Sequence, residues 1–296
     1  MFYIDIGSST IKTYRYEDSK LELTYEKSIF FKEGFNKDIG IENSKLNELI
    51  DYFNYLTSKY EMNMCNTRLF ATGIFRKISS CQKEYLIKNF NNKFNLFFNI
   101  ISHGIESYYV SKSMEINFNE NKVLILNMGG KTSELIFIDN NKIIERVNLD
   151  IGVADVLNDF PKINENTSVD KVDDIVKHIK KKIILTSSFQ CDFAVFTGGE
   201  LRFEKLVGYN LKNNDLFSDY IHDKKISIKD FKLGNKHIFD DLTIKDLYRL
   251  MPHNPKWMDG ARAGVLLAEA IFDVINVNMI VPSDLNLING VINDLK

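Results

Sequence analysis

No sign of charge dominates this 296-residue chain: 38 Lys and Arg stand against 40 Asp and Glu, a net charge of −2. That balance offers a nucleic-acid backbone nothing global to hold and leaves only a local basic patch to consider. The three cysteines, Cys65, Cys81 and Cys191, are too few and too scattered for a disulfide framework, and no C-x-x-C marks a zinc site. The five histidines (His103, His178, His222, His237 and His253) lack metal-ligand spacing. The longest apolar runs, such as Ala263–Ala268, are far too short to span a bilayer. Met1 leads almost at once into a strand-like run, which leaves no room for a signal peptide. Together these absences set the expectation of a cytoplasmic protein with no nucleic-acid and no membrane partner. A homodimer is neither required nor excluded.

What the chain does have is a glycine turn that occurs twice. Phe2–Thr10 reads F-Y-I-D-I-G-S-S-T and Leu124–Thr132 reads L-I-L-N-M-G-G-K-T. Asp5 aligns with Asn127, Gly7 with Gly129 and Thr10 with Thr132, each pair 122 positions apart. Each copy is an apolar run ending in a polar residue, then a tight turn, then a second β-prone run. Successive backbone N–H groups in such a turn form an anion-binding concavity, and small residues let a phosphate approach closely. Two copies at this separation predict two similar domains facing each other across a phosphate-binding cleft. A third turn follows the apolar run Phe193–Phe196 at Thr197–Gly199. The expected phosphate ligands are therefore Gly7, Ser8 and Ser9, then Gly129, Gly130, Lys131 and Thr132, then Gly198 and Gly199.

The chain is long enough for two domains, and 44% hydrophobic with 26% charged residues is ordinary for a globular protein. In the first half the pattern predicts strands at Phe2–Ile6, Ile11–Tyr16 and Leu21–Phe31, and a helix from about Ser44 with Leu46, Leu49, Ile50, Phe53 and Leu56 on one face. A strand at Arg68–Ala71, a helix at Gln82–Phe90, a strand at Leu96–Ile101 and a helix at Ile105–Met114 follow. In the second half, strand Val123–Leu126 precedes a hairpin of Glu134–Ile138 and Ile143–Val147 around D-N-N. Then come helix Asp170–Leu185, strand Phe193–Phe196, helix Asp259–Val274, strand Met279–Val281 and a final helix, Leu287–Leu295. The expected fold class is α/β, with mixed sheets in a first domain over 1–118 and a second over 119–283. The crossing falls in Glu115–Lys122, and the helix at about 284–296 is free to pack back on the first domain.

The ordered motifs resemble one family. F-Y-I-D-I-G-S-S-T, A-T-G-I-F-R-K (Ala71–Lys77), I-I-S-H-G-I-E-S-Y-Y (Ile100–Tyr109), L-N-M-G-G-K-T-S-E-L (Leu126–Leu135), L-D-I-G-V-A (Leu149–Ala154), F-T-G-G (Phe196–Gly199) and P-K-W-M-D-G-A-R-A-G (Pro255–Gly264) stand in the order of the exopolyphosphatase/guanosine-pentaphosphate phosphatase (Ppx/GppA) family. This family belongs to the actin-like ATPase and sugar-kinase superfamily, whose domains are ribonuclease-H-like. The resemblance implies a Mg²⁺-dependent phosphohydrolase acting on polyphosphate or on guanosine penta- or tetraphosphate. It implies that Glu106 activates the attacking water, that Arg76 faces the same phosphate, and that Asp5 and Glu134, with Asn127, surround phosphate and magnesium. Such residue types suit phosphoanhydride hydrolysis, which needs a base beside an in-line water, a cation on the departing charge and donors around the phosphoryl oxygens. As a bare sequence feature, apart from the resemblance, Glu106 reads first as an exposed acid at a helix N-terminus, stabilised by the dipole.

The departures from the family pattern are as informative. Asn127 stands where an aspartate is usual, Lys131 where a glycine or small residue is usual, Ile105 where a second glutamate is frequent, and His103 where glycine is common. A unit charge pair at ~4 Å and an effective dielectric near 20 is worth roughly 4 kcal/mol, and a divalent ion doubles that before desolvation, so losing a carboxylate at Asn127 matters. Lys131 either contacts phosphate or points to solvent. Two rivals to the hydrolase follow: a phosphate- or nucleotide-binding sensor, favoured by Asn127, and an ATP-using kinase, disfavoured by the lack of a marked adenosine pocket. The basic cluster Lys177, Lys180, Lys181 and Lys182 reads as a solvated helix face that a polyanion could follow. Trp257 reads as a core or rim aromatic.

Overall fold

The structure is a computed structural model that describes every residue except 115, 166–171, 186–188, 220 and 296. Its internal contacts divide the chain into two units, Met1–Lys112 with Leu287–Lys296, and Ser113–Asn286. Glu115, at the head of the expected crossing, and Asp170, the expected start of a helix, lie outside the described residues.

The first unit is built from β1 (Phe2–Ile6), β2 (Thr10–Glu17), β3 (Lys20–Ser28), α1 (Asn43–Tyr60), β4 (Thr67–Ala71), α2 (Ser80–Phe94), β5 (Asn99–Ile100) and α3 (His103–Ser113). Among the described residues its sheet has the order β3-β2-β1-β4-β5. β1 to β3 form an antiparallel meander, and β4 and β5 run parallel to β1, so the sheet is mixed. Asp18 and Ser19 join β2 to β3 with φ of 49° and 62°, the positive values that match a two-residue turn to strand twist. On α1 the spacing delivers its stripe: Leu46, Leu49, Phe53 and Leu56 are buried, while Ile50 is only half-buried. Ser79 caps α2 by accepting from the Gln82 N–H at 3.2 Å, which starts the helix two residues before the expected Gln82.

Two expected strands are shorter than the pattern predicts. The run Leu21–Phe31 leaves the ladder after Ser28, and the N–H groups of Ile29 and Phe31 donate instead to the carbonyls of Ser9 (3.0 Å) and Ser8 (3.1 Å). This segment thereby closes over the first glycine turn. The run Leu96–Ile101 shrinks to Asn99–Ile100, the dipeptide that pairs with β4, while Leu96 and Phe98 turn into the core.

The second unit contains β6 (Val123–Met128), β7 (Ser133–Asp139), β8 (Lys142–Leu149), α4 (Val153–Asp159), α5 (Val172–Lys182), β9 (Phe193–Thr197), α6 (Glu200–Val207), β10 (Lys212–Asn213), β11 (Lys224–Ser227), α7 (Ile228–Asp240), α8 (Ile244–Leu250), α9 (Ala261–Ile275) and β12 (Met279–Ser283). Among the described residues its sheet order is β10-β11-β12-β9-β6-β7-β8. β6, β9 and β12 are mutually parallel, and β6 to β8 are an antiparallel meander. Every residue of β9 is buried, as a central parallel strand covered on both faces requires. The D-N-N hairpin is present, with Asn140 and Asn141 at φ of 49° and 60°. Sequence periodicity did not assign α4, α6, α7, α8, β10 or β11. The helix expected from Asp259 begins at Ala261, because Pro255–Gly260 forms a tighter 3₁₀ turn ahead of it.

The last helix, α10 (Leu287–Asp294), belongs to the first unit: Leu287, Ile288, Val291 and Ile292 bury against Tyr3, Tyr14 and Phe70.

Candidate functional site

The two repeated turns close in the same way. Gly7 N–H donates to the Thr10 carbonyl at 2.9 Å, and Gly129 N–H donates to the Thr132 carbonyl at 2.8 Å. A Cβ on either glycine would meet that carbonyl at 3.2 Å. Neither glycine has a positive φ, so the positions need a small residue for close approach and not for backbone handedness. Both N–H groups are used in closing the turns.

Around the first turn, β1 sets Asp5 opposite Lys12 of β2. Burial pushes the Asp5 carboxyl up to about 7, with Lys12 opposing the shift and the Glu106 charge adding to it. Ser8 is buried, and its Oγ accepts from the Ile74 N–H at 2.9 Å. Its hydroxyl therefore ties the turn to Gly73–Arg76, where Gly73 has φ of 59° and a Cβ would collide with Ser8 Oγ. Arg76 Nη1 donates to Glu106 Oε2 at 2.5 Å and to the Ile101 carbonyl at 3.4 Å. Both side chains of this ion pair are more than four-fifths buried. Glu106 lies in the first turn of α3, whose start is fixed by Ser102 Oγ accepting from the Ile105 N–H. The first unit thus brings Asp5, Arg76 and Glu106 together.

Around the second turn, Asn127 Nδ2 donates to Glu134 Oε2 at 3.3 Å across the β6–β7 ladder. Glu134 is buried. Gly198 adjoins Asn127, since a Cβ there would lie 3.8 Å from Asn127 Oδ1. Gly198 and Gly199 have φ of 126° and 120°, values only glycine adopts without strain. Gly199 N–H donates to the Ser283 carbonyl at 3.3 Å, so this amide faces the sheet. The Lys131 ammonium is ion-paired with Asp155 on α4. The other Asp155 oxygen accepts from the Gly152 N–H at 2.9 Å.

Gly152, in the L-D-I-G-V-A segment, packs directly against the second turn. Its Cβ would sit within 2.6 Å of Lys131 N, Gly130 C and Gly129 O, and the N–H groups of Val153 and Ala154 donate to the carbonyls of Gly129 and Gly130. The legible signal was the G-x-x-D spacing of Gly152 and Asp155 at a helix start.

The sequence model of the Ppx/GppA phosphatase family matches residues 33–296. The chain belongs to that family. No curated protein sequence matches it. Among solved structures it resembles the Aquifex aeolicus Ppx/GppA enzyme, at 17% identity over 99% of this chain and 98% of the other, with a TM-score of 0.68. A Cytophaga hutchinsonii exopolyphosphatase gives 15% identity, 99% and 96% coverage and a TM-score of 0.72. An exopolyphosphatase-like protein gives 13% identity, the same coverage and a TM-score of 0.76. At these identities the likeness establishes the fold, two actin-like α/β units with mixed sheets, as in other Ppx/GppA proteins.

Elsewhere in this Ppx/GppA chain, the basic cluster is partly neutralised: Lys177 pairs with Asp174, Lys180 with Asp273 and Lys182 with Asp159. Trp257 is half-buried, with its ring 5.5 Å from Phe203. The three cysteines are free thiols, and burial pushes Cys191 up to about 11. No described helix is long and apolar enough to cross a membrane.

Proposed function

We propose that the chain is a phosphohydrolase of terminal phosphoanhydride bonds, acting on inorganic polyphosphate or guanosine pentaphosphate. The observation that supports it most is the duplicated turn, closed identically at Gly7–Thr10 and Gly129–Thr132 and attended in the first unit by the Arg76–Glu106 pair. In this reading Glu106 takes the proton of the attacking water, and the Arg76 guanidinium fixes its carboxylate and offers positive charge to phosphoryl oxygen. In the second unit the residues after Gly129 and the turn at Gly198 offer phosphate their backbone N–H groups, and in the first unit the residues after Gly7 do the same.

Magnesium suits the donors that each unit presents by itself. In the second, Asn127 and Glu134 are neighbouring oxygen donors of the kind a hard cation takes. In the first, Asp5 is a carboxyl that burial and Glu106 drive toward neutrality, which a nearby cation would reverse. When bound, the ion would neutralise charge on the phosphoryl oxygens. Asn127 supports a second reading, a binding sensor with weakened turnover, since its amide lends Glu134 a hydrogen bond where the family has a second carboxylate.

Phosphate release from polyphosphate, guanosine pentaphosphate and ATP, each with and without Mg²⁺, tests both. Mg²⁺-dependent release from either of the first two, absent with ATP, is the expected result. Tight binding without release in any mixture would establish the sensor instead.

A further inference from the structure

The third glycine turn is held by a chain of buried hydrogen bonds that ends far from it in sequence. Asp219 Oδ1 accepts from the N–H groups of Ile221 and His222, and its Oδ2 lies 2.6 Å from His222 Nδ1. Burial alone would raise the Asp219 carboxyl, but the His222 ring and these N–H groups outweigh it and hold the group below the usual range. An ionised carboxylate only accepts, so Nδ1 directs a proton at Asp219 and Nε2 is left to face the other way. Nε2 shares a hydrogen bond with Ser283 Oγ at 2.8 Å. Ser283 Oγ in turn accepts from the Leu285 N–H at 3.2 Å. The Leu285 carbonyl accepts from Thr197 Oγ1, the last residue of β9.

Ser283 and Thr197 are register partners in the parallel β12–β9 pair, and the Ser283 carbonyl receives Gly199 N–H. His222, Ser283 and Thr197 are each at most 2% exposed. That burial denies Ser283 any substrate, so the Asp–His–Ser order is not a nucleophilic triad here. Every link instead leads to Thr197 and Gly199, the residues on either side of Gly198. A buried polar chain satisfied at every step fixes one geometry and penalises its neighbours.

We propose that His222, oriented by Asp219, is a positioning residue for phosphate binding: through Ser283 and Leu285 it sets the Thr197–Gly199 turn. This rests on the reading of that turn as a phosphate ligand. His222→Phe keeps the ring against Phe217 but removes the hydrogen-bonding nitrogens, Ser283→Ala removes the hydroxyl alone, and His222→Gln offers an amide, donor and acceptor both, near the place of Nε2.

The probe is inorganic tripolyphosphate, titrated calorimetrically into the full chain, with circular dichroism and melting to verify the fold. His222→Phe and Ser283→Ala are expected to weaken binding roughly tenfold, about the effect of one buried hydrogen bond, and His222→Gln to return most of it. Loss of melting temperature in the first two with unchanged tripolyphosphate affinity would overturn the proposal and leave the phosphate reading intact. Absence of binding in the wild-type protein would remove the phosphate reading and this inference with it. Should His222→Phe not fold, Ser283→Ala, a small deletion, decides.

Discussion

Asn127 donates its side-chain amide to Glu134 at 3.3 Å, at the ladder position where the first turn sets Asp5 opposite Lys12. The repeat has kept the register and exchanged the chemistry: a carboxylate facing an ammonium in one copy, an amide facing a carboxylate in the other. In the second copy the negative charge has moved from the strand before the turn to the strand after it. A proton-bearing amide at Asn127 satisfies Glu134 without a cation, whereas an aspartate would not.

Asn127→Asp therefore sets two carboxylates side by side. Without metal it should lower the melting temperature, because like charges face each other in a buried place. Added Mg²⁺ should raise the variant's melting temperature more than that of the wild type. If the chain is a weakened hydrolase, turnover should rise about tenfold, the factor given by roughly 1.4 kcal/mol. Differential scanning fluorimetry with a Mg²⁺ series, alongside phosphate release, reads both. A variant that Mg²⁺ fails to stabilise more than wild type would rule out metal at this position.

Glu106→Gln keeps the shape and still accepts from Arg76, but cannot take a proton from water. Turnover on polyphosphate should fall by about 10²–10⁴ with little change in affinity for the substrate. Steady-state kinetics decides, and an undiminished rate would remove Glu106 as the base.

Gly152→Ala should disturb the second turn from outside it. The added methyl must displace Gly129–Lys131 backbone, at an expected cost of about 1–3 kcal/mol and with weaker tripolyphosphate binding. Gly264→Ala is the control, since its Cβ would meet Val153 Cγ2 at an ordinary 3.7 Å. Equal urea midpoints for the two variants would contradict the packing argument.

Asp5 gives the pH dependence. With its carboxyl raised to about 7, the folded state holds a proton that the unfolded state has already released above the ordinary value of 3.8. Bound protons are then more numerous in the folded protein, so the stability of the metal-free chain should fall as pH rises from about 4 to about 7. Mg²⁺ affinity should move the other way, strengthening over the upper part of that range as the ion displaces the proton. Asp5→Asn should flatten the stability slope, as measured by urea unfolding at about pH 5 and about pH 7; an unchanged slope would assign it to other groups.

The parts of the site that could be read from the chain are those made by neighbours in sequence. A strand, a glycine and a hydroxyl or carbonyl three residues on make a closed turn by themselves, so both copies were visible, as was the alternation of the flanking strands. Ile29–Phe31 reads as strand by composition, yet the N–H groups of Ile29 and Phe31 go to the carbonyls of Ser9 and Ser8 in the turn, a pairing set by the fold and not by the local pattern. Lys131 could not be placed from its own segment, since the oxygen that holds it arrives on α4, 24 residues later.

Sequence alone determined the two turns, the order of motifs and hence the family, because each depends on local spacing and on residue size. It also determined which side chains could do acid–base or metal chemistry. Tertiary structure decided who meets whom: Arg76 on Glu106 across 30 positions, Gly152 against Lys131, and His222 on Ser283 across 61. Those pairings depend on how sheets stack strands that are distant in the chain, and hydrophobic periodicity records only which face a residue takes, not what lies opposite it. The burial that moves Asp5 to about 7 belongs to the same class, since a carboxyl is desolvated by everything packed around it and not by the residues beside it in sequence.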